Sequence, residues 1–224
     1  MKCTIQQSAN NVINAIAQDA HGQRIDPFGG ERDIAHKVLR HVTHAFREDP
    51  VRIIRAVRFS AKLSALGFKL ETKTAAPLKK MLGLLADVPQ SRLFDEMLKL
   101  LQTGHALASV AQLKSLGLAK GIYPLLDIVV ARADTPFVRA ALADTDRRVG
   151  EGKPVAPSFL LACVLWADVR EGWAQRLARK AHPHPALQES IDEVFDSRIG
   201  DVSGRGKLGA DMREIWMMQP RFEK

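Results

Sequence analysis

Four residues in one short stretch could do chemistry together. They are Asp49, Arg52, Arg55 and Arg58, in Glu48-Asp49-Pro50-Val51-Arg52-Ile53-Ile54-Arg55-Ala56-Val57-Arg58-Phe59. The spacing predicts a helix with Asp49 at its N-cap and Pro50 as its first residue. A short carboxylate takes the orphan N–H groups there, and proline already holds a helical φ. Arg52, Arg55, Arg58 and Lys62 then recur every three or four residues and form one cationic stripe. The other positions are apolar, so the helix is buried on most sides and turns that stripe toward an anion, with a nucleotide the best match. At the tip, Asp49 and Arg52 lie close enough to address one ligand together. A carboxylate accepts hydrogen bonds and a guanidinium only donates them, so the pair complements a base edge with an amino donor beside a bare ring nitrogen. Adenine and cytosine carry that edge. Guanine and uracil present the reverse order and leave buried polar groups unmatched. The same spacing fits a plain N-cap with an i,i+3 ion pair equally well, and spacing alone leaves both readings open.

Glu48-Asp49-x-x-Arg52-x-x-Arg55-Ala56-x-Arg58-Phe59 resembles the base-reading motif of the class II nucleotidyltransferases, which comprise the CCA-adding tRNA nucleotidyltransferases and the bacterial poly(A) polymerases. The resemblance implies that Asp49 and Arg52 read the Watson–Crick edge of an incoming ATP or CTP, while Arg55 and Arg58 brace the motif or neutralise phosphates. Asn14-Ala15-Ile16-Ala17 and Ile25-Asp26-Pro27-Phe28-Gly29-Gly30 are similar to the end of that family's catalytic head, which implies a nucleotide-site role for Asn14. The run Ser91–Leu101 and the apolar block Pro157–Trp166 resemble parts of the neck and body of bacterial poly(A) polymerases. The segment Gly204–Trp216 resembles the basic turn and helix of their RNA-binding body, which implies RNA contacts at Arg205, Lys207 and Arg213.

The departures from the family pattern are as informative as the matches. Ser8, Ala9, Asn10 and Val12 stand where the family has two arginines, an aspartate and a threonine. The Asp-x-Asp strand that holds two Mg²⁺ ions has no counterpart, so no catalytic or metal-binding residue is assigned. The resemblance implies a mainly α chain: a multi-helical neck and body with a small α/β remnant of a nucleotidyltransferase head at the N-terminus. The expected divisions are 1–46 for the head remnant, 47–103 for the neck with the base-reading motif, and 104–224 for a helical RNA-binding body continuing past Lys224. The implied activity is polynucleotide adenylyl transfer from ATP to an RNA 3′ end, to which this chain contributes base selection and RNA binding but, alone, no transfer. A CCA-adding enzyme and a non-catalytic RNA-binding helical module are the two alternatives.

Composition agrees with a polyanionic partner. The 224 residues carry a formal charge of +8, with a pI near 9.7, and seven Lys/Arg face two Asp/Glu between His36 and Lys62. No stretch approaches the roughly 20 apolar residues of a membrane span. Two distant cysteines, Cys3 and Cys163, without ligand spacing, point to a reduced, cytoplasmic setting. The positioning elements read as short extended pieces around 12–28 and 38–42 and a helical turn at Glu31–Lys37. Helices follow at Glu71–Ala86, Gln90–Leu101, His105–Leu116 and Thr135–Val149, then a helix pair from Phe159 to about Lys180, and two last helices at Ala186–Arg198 and Lys207–Met218. Glu96 and Lys99 read as a surface pair, and Trp166, Trp173 and Trp216 as core anchors. Asp144-Thr145-Asp146 reads as a solvated helix face and His182 and His184 as loop residues. Gly204-x-Gly206-x-x-Gly209 lacks the preceding strand that a dinucleotide site requires.

Overall fold

In a computed structural model of the chain, residues 11–41, 49–199 and 206–222 are described. The chain divides into two compact units, Met1–Ile122 and Tyr123–Lys224, and it is mainly helical, as the sequence predicts.

The first unit opens with the expected α/β piece. A 3-10 turn at Val12–Asn14 leads to β1 (Ala17–Gln18), which pairs antiparallel with β2 (Arg24–Ile25), Ala17 opposite Ile25. The hairpin is closed by Asp19, whose Oδ1 accepts from the N–H groups of His21 and Gln23. Asp26 then caps α1 (Gly30–His36), accepting from Gly30 N–H at 2.7 Å and Glu31 N–H at 2.9 Å, and these bonds hold its carboxyl below the ordinary range. Gly30 is fixed by space, since a Cβ there would lie 2.7 Å from the Val12 carbonyl oxygen. The Ile25–Gly30 motif therefore has a local structural reason. β3 (Val38–Leu39) follows and pairs in parallel with β4 (Lys69–Leu70).

Between those strands lies α2 (Arg52–Ser64), which buries Ile53, Ile54, Ala56, Val57, Ser60 and Ala61. The helix α3 (Thr72–Ala75) is short, and a 3-10 helix runs over Lys79–Asp87. This corrects the single helix expected over Glu71–Ala86. Pro77 has no N–H to give and interrupts the ladder, and the chain resumes in the tighter winding. α4 (Gln90–Leu101) and α5 (Ala106–Ser115) follow as expected, and α2 packs against both.

The second unit is built on α8. Its helices are α6 (Pro124–Arg132), α7 (Pro136–Gly150), α8 (Pro157–Ala178), α9 (Pro183–Val194), continuing as a π turn at Phe195–Ile199, and α10 (Lys207–Met218). α8 packs against the other four. It is one helix of 22 residues and not the expected pair. Gly172 does not break it but lets α9 approach, with Ser190 Oγ 3.3 Å from where a Cβ would stand. Trp216 is buried at 1 %, donates to the Ala162 carbonyl at 3.0 Å and meets the Phe195 ring edge-on. Trp166 and Trp173 are only half-buried, and Trp173 donates to the Pro183 carbonyl.

Candidate nucleotide-binding site

Asp49 precedes α2 and its carbonyl accepts from Arg52 N–H at 3.0 Å, so the backbone begins to wind where the spacing predicted. Its carboxylate, however, caps no backbone N–H. Oδ2 instead accepts from Arg92 Nη2 on α4 at 2.8 Å and lies 4.0 Å from Arg52 Nε. A fully charged guanidinium outcompetes a neutral amide for a carboxylate, which is why the expected side-chain cap is absent. Oδ1 is buried and accepts no hydrogen bond among the described residues. Asp49 and Arg52 thus stand side by side with an acceptor still open. Burial, and then the Arg52 charge, lower the His41 imidazole to about 4, so it is neutral at pH 7 beside that arginine.

One turn along, Arg55 Nε and Nη2 both donate to Glu96 Oε1, at 3.1 and 2.9 Å. Arg58 Nη1 lies 3.7 Å from Glu96 Oε2, and Lys99 Nζ donates to Oε1 at 3.3 Å. Glu96 is 2 % exposed, so it is not half of a surface pair but the buried counter-charge of Arg55 and Arg58. Burial alone would push its carboxyl up; the bonds and charges of Arg55, Lys99 and Arg58 outweigh that and hold it below the ordinary range. The sequence carried a signal for this role, because Leu93, Glu96, Met97 and Leu100 share one face of α4. An acid in an apolar stripe must find a partner. Arg92 gave no such signal, since its exposed position matches any solvated arginine.

A family model described as "Probable RNA and SrmB- binding site of polymerase A" matches residues 67–129, and one described as "Polymerase A arginine-rich C-terminus" matches 179–224. Poly(A) polymerase I of Escherichia coli O6:H1 is 33% identical over 208 residues, covering 89% of this chain and 44% of that protein. The multifunctional CCA protein of Actinobacillus pleuropneumoniae serotype 5b is 39% identical over 221 residues, covering 94% of this chain and 52% of the relative. The chain belongs to the poly(A) polymerase and CCA-adding nucleotidyltransferase family. It spans about half the length of the curated relatives it matches. A solved tRNA-processing enzyme in its apo form shares the fold, at a TM-score of 0.51 and 24% identity over 95% of this chain and 74% of its own.

The remaining sequence-predicted residues lie on separate elements. Asn14 is exposed at the end of the first 3-10 turn. Lys207 is exposed at the start of α10, and Arg205 lies outside the described residues. Arg213 is already engaged: its guanidinium pairs with Asp192 at 2.6 Å and sits 4.6 Å above the Phe195 ring centroid. Among the described residues no three His, Cys, Asp or Glu side chains gather as a metal cage. Asp144 is held by Arg147 at 2.5 Å, and the Thr145 hydroxyl turns back to the Ala141 carbonyl. The described residues therefore do not fit the Mg²⁺ ions that the resemblance implies. Burial pushes the Cys163 thiol up to about 11, which removes it as a nucleophile at neutral pH. Among the described residues no helix is long and apolar enough to cross a membrane.

Proposed function

We propose that this chain supplies base selection and RNA binding to a polynucleotide adenylyltransferase, which adds AMP from ATP to RNA 3′ ends. The juxtaposition of Asp49 and Arg52 at the start of α2 carries the reading. In this reading the acceptor and the donor address one ligand together, with Arg92 holding Asp49 and Glu96 holding Arg55 in fixed geometry. An amino group at the open Asp49 Oδ1 and a ring nitrogen at Arg52 satisfy both side chains; guanine and uracil leave both unmatched. Arg55 acts as a brace, with Nε and Nη2 both spent on Glu96. Arg58 is held more loosely and is the better candidate for a phosphate. The resemblance assigns Asn14 to the nucleotide and Arg205, Lys207 and Arg213 to RNA. Of these three, Arg213 is the weakest, because Asp192 offsets its charge. The arginine-rich C-terminus description supports polyadenylation. The 39% identity to a CCA protein over nearly all of the chain supports CCA addition as the second reading.

Calorimetric titration with each of the four nucleoside triphosphates tests the base-reading role. ATP binds, GTP and UTP bind at least about tenfold more weakly, and Asp49→Ala or Arg52→Ala removes the difference, worth about 1.4 kcal/mol or more. Equal affinity for all four nucleotides refutes the role. CTP separates the two activities: discrimination against CTP favours polyadenylation, and equal binding of ATP and CTP favours CCA addition. The chain by itself is expected to transfer no AMP, because the family's metal-binding Asp-x-Asp strand has no counterpart in this sequence. Incorporation of labelled AMP into RNA by the purified chain overturns that expectation.

A further inference from the structure

From Pro157 to Ala167, the first three turns of α8, the chain carries no charged residue. A helix that is apolar on every side is ordinarily covered on every side. α8 is not. Leu160, Leu161, Val164 and Leu165 are buried, yet Phe159 stays 43 % exposed, Trp166 is only half-buried and Ala167 is exposed. On α7, which packs against α8, Phe137 is 56 % exposed.

These side chains border one groove. Phe159, Cys163, Trp166 and Arg170 recur at spacings of four, three and four, so they form a stripe of α8 about 16 Å long. Two hollows lie along it. One, of 460 Å³, is bounded by Asp144 and Arg148 of α7, the turn at Pro154–Ala156, and Phe159. The other, of 780 Å³, is bounded by Phe137 at the start of α7 and by Cys163, Trp166 and Arg170. The start of α7 thus faces the later turns of α8, and its later turns face Phe159, so the two helices run antiparallel with the stripe along their seam.

The charges of the groove are unevenly matched. Asp144 pairs with Arg147, and Asp168 pairs with both Arg132 and Arg198. Arg148, near one end, spends Nε and Nη2 on the uncharged Pro154 carbonyl. Arg170, at the other end, is exposed and makes no ion pair among the described residues. Against these two stands Glu171, which accepts from the Gln175 amide. The unit as a whole offers a polyanion nothing: Tyr123–Lys224 contains fifteen Lys/Arg and fifteen Asp/Glu.

We propose that the α7–α8 groove is a docking site for an acidic amphipathic helix of a partner protein, about three turns long. The apolar face of that helix covers Phe137, Phe159 and Trp166, and carboxylates toward its two ends meet Arg148 and Arg170. Aromatic rings and arginines are what protein interfaces concentrate at their centres, and a stripe at helical spacing in a groove is read by a helix laid along it. The groove lies outside the residues 67–129 and 179–224 that the family models match. Its docking role is independent of base reading by Asp49 and Arg52.

The test uses the full chain as bait for a phage-displayed library of three-turn helical peptides randomised on all faces. The peptides that survive selection carry Asp or Glu toward both ends and apolar residues at helical spacing between them. The best of these, synthesised with a fluorescent label, is titrated by anisotropy. Phe137→Ala and Arg170→Glu change exposed positions, so their circular-dichroism melts match that of the unsubstituted chain, and each weakens the peptide about tenfold or more. The same peptide with lysine in place of its acids binds Arg170→Glu better than the unsubstituted chain. A selected set without acids, or an affinity that neither variant changes, overturns the proposal. Displacement of the peptide by oligo(A) also overturns it and makes the groove a nucleic-acid surface. A dimer in sedimentation that Phe137→Ala dissociates overturns it in favour of a second copy of this chain.

Discussion

Glu96 decides how the arginine stripe behaves. Three cations share one buried carboxylate, and removing its charge leaves them facing one another. Glu96→Gln is expected to destabilise the chain by about 2–3 kcal/mol, below the usual range for breaking a buried ion pair, because Arg55 and Arg58 keep some solvent contact. Urea unfolding at pH 7 measures it, and a loss under about 0.5 kcal/mol contradicts the clamp. His41 gives a pH signature of its own. An unfolded histidine takes a proton near pH 6.5, while the buried imidazole resists until about 4. Between those values the unfolded chain binds more protons, so stability falls as pH drops from about 6.5 to about 4, by up to about 3 kcal/mol. His41→Gln should flatten this dependence between pH 6.5 and 5, where the carboxylates have barely begun to titrate.

At the scale of elements, the boundaries follow proline and glycine. Pro124, Pro136, Pro157 and Pro183 each open a helix of the second unit in its first turn, where the missing N–H costs nothing. α6 escapes a periodicity reading because its nine residues form a short, nearly all-apolar run flanked by turn residues. Glycines separate into those that space requires and those it does not. Gly30→Ala would push a Cβ against the Val12 carbonyl and should cost about 1–3 kcal/mol, as overpacking does. Gly83→Ala meets nothing within 4 Å and should be neutral or slightly stabilising. Equal thermal shifts for these two variants would contradict the packing of α1 on the first 3-10 turn. α10 is tied to α8 through Trp216, and Trp216→Ala should cost about 3–5 kcal/mol in the same assay.

Over the whole molecule, charge is partitioned by unit. All of the excess positive charge lies before Tyr123, so under the proposed function long-range attraction of RNA belongs to the unit that also holds Asp49 and Arg52. RNA affinity should therefore fall steeply with salt, while ATP affinity, set by directional bonds at a partly buried pair, should change little. A nucleotide affinity as salt-sensitive as that for RNA would mean that ATP is held by surface charge instead of by its base.

Much was legible in the sequence because it is local. The spacing of Asp49, Arg52, Arg55 and Arg58 and the apolar periodicity of α4, α5 and α10 all act within a few residues. The partners of those residues were not legible. Asp49 is gripped by Arg92, 43 positions away, and Arg55 by Glu96, 41 positions away. Lys79 lies on Gly117, 38 positions further along. Spacing fixes which side chains share a face of one helix; which faces meet is decided by packing among helices, and only the tertiary structure records that outcome.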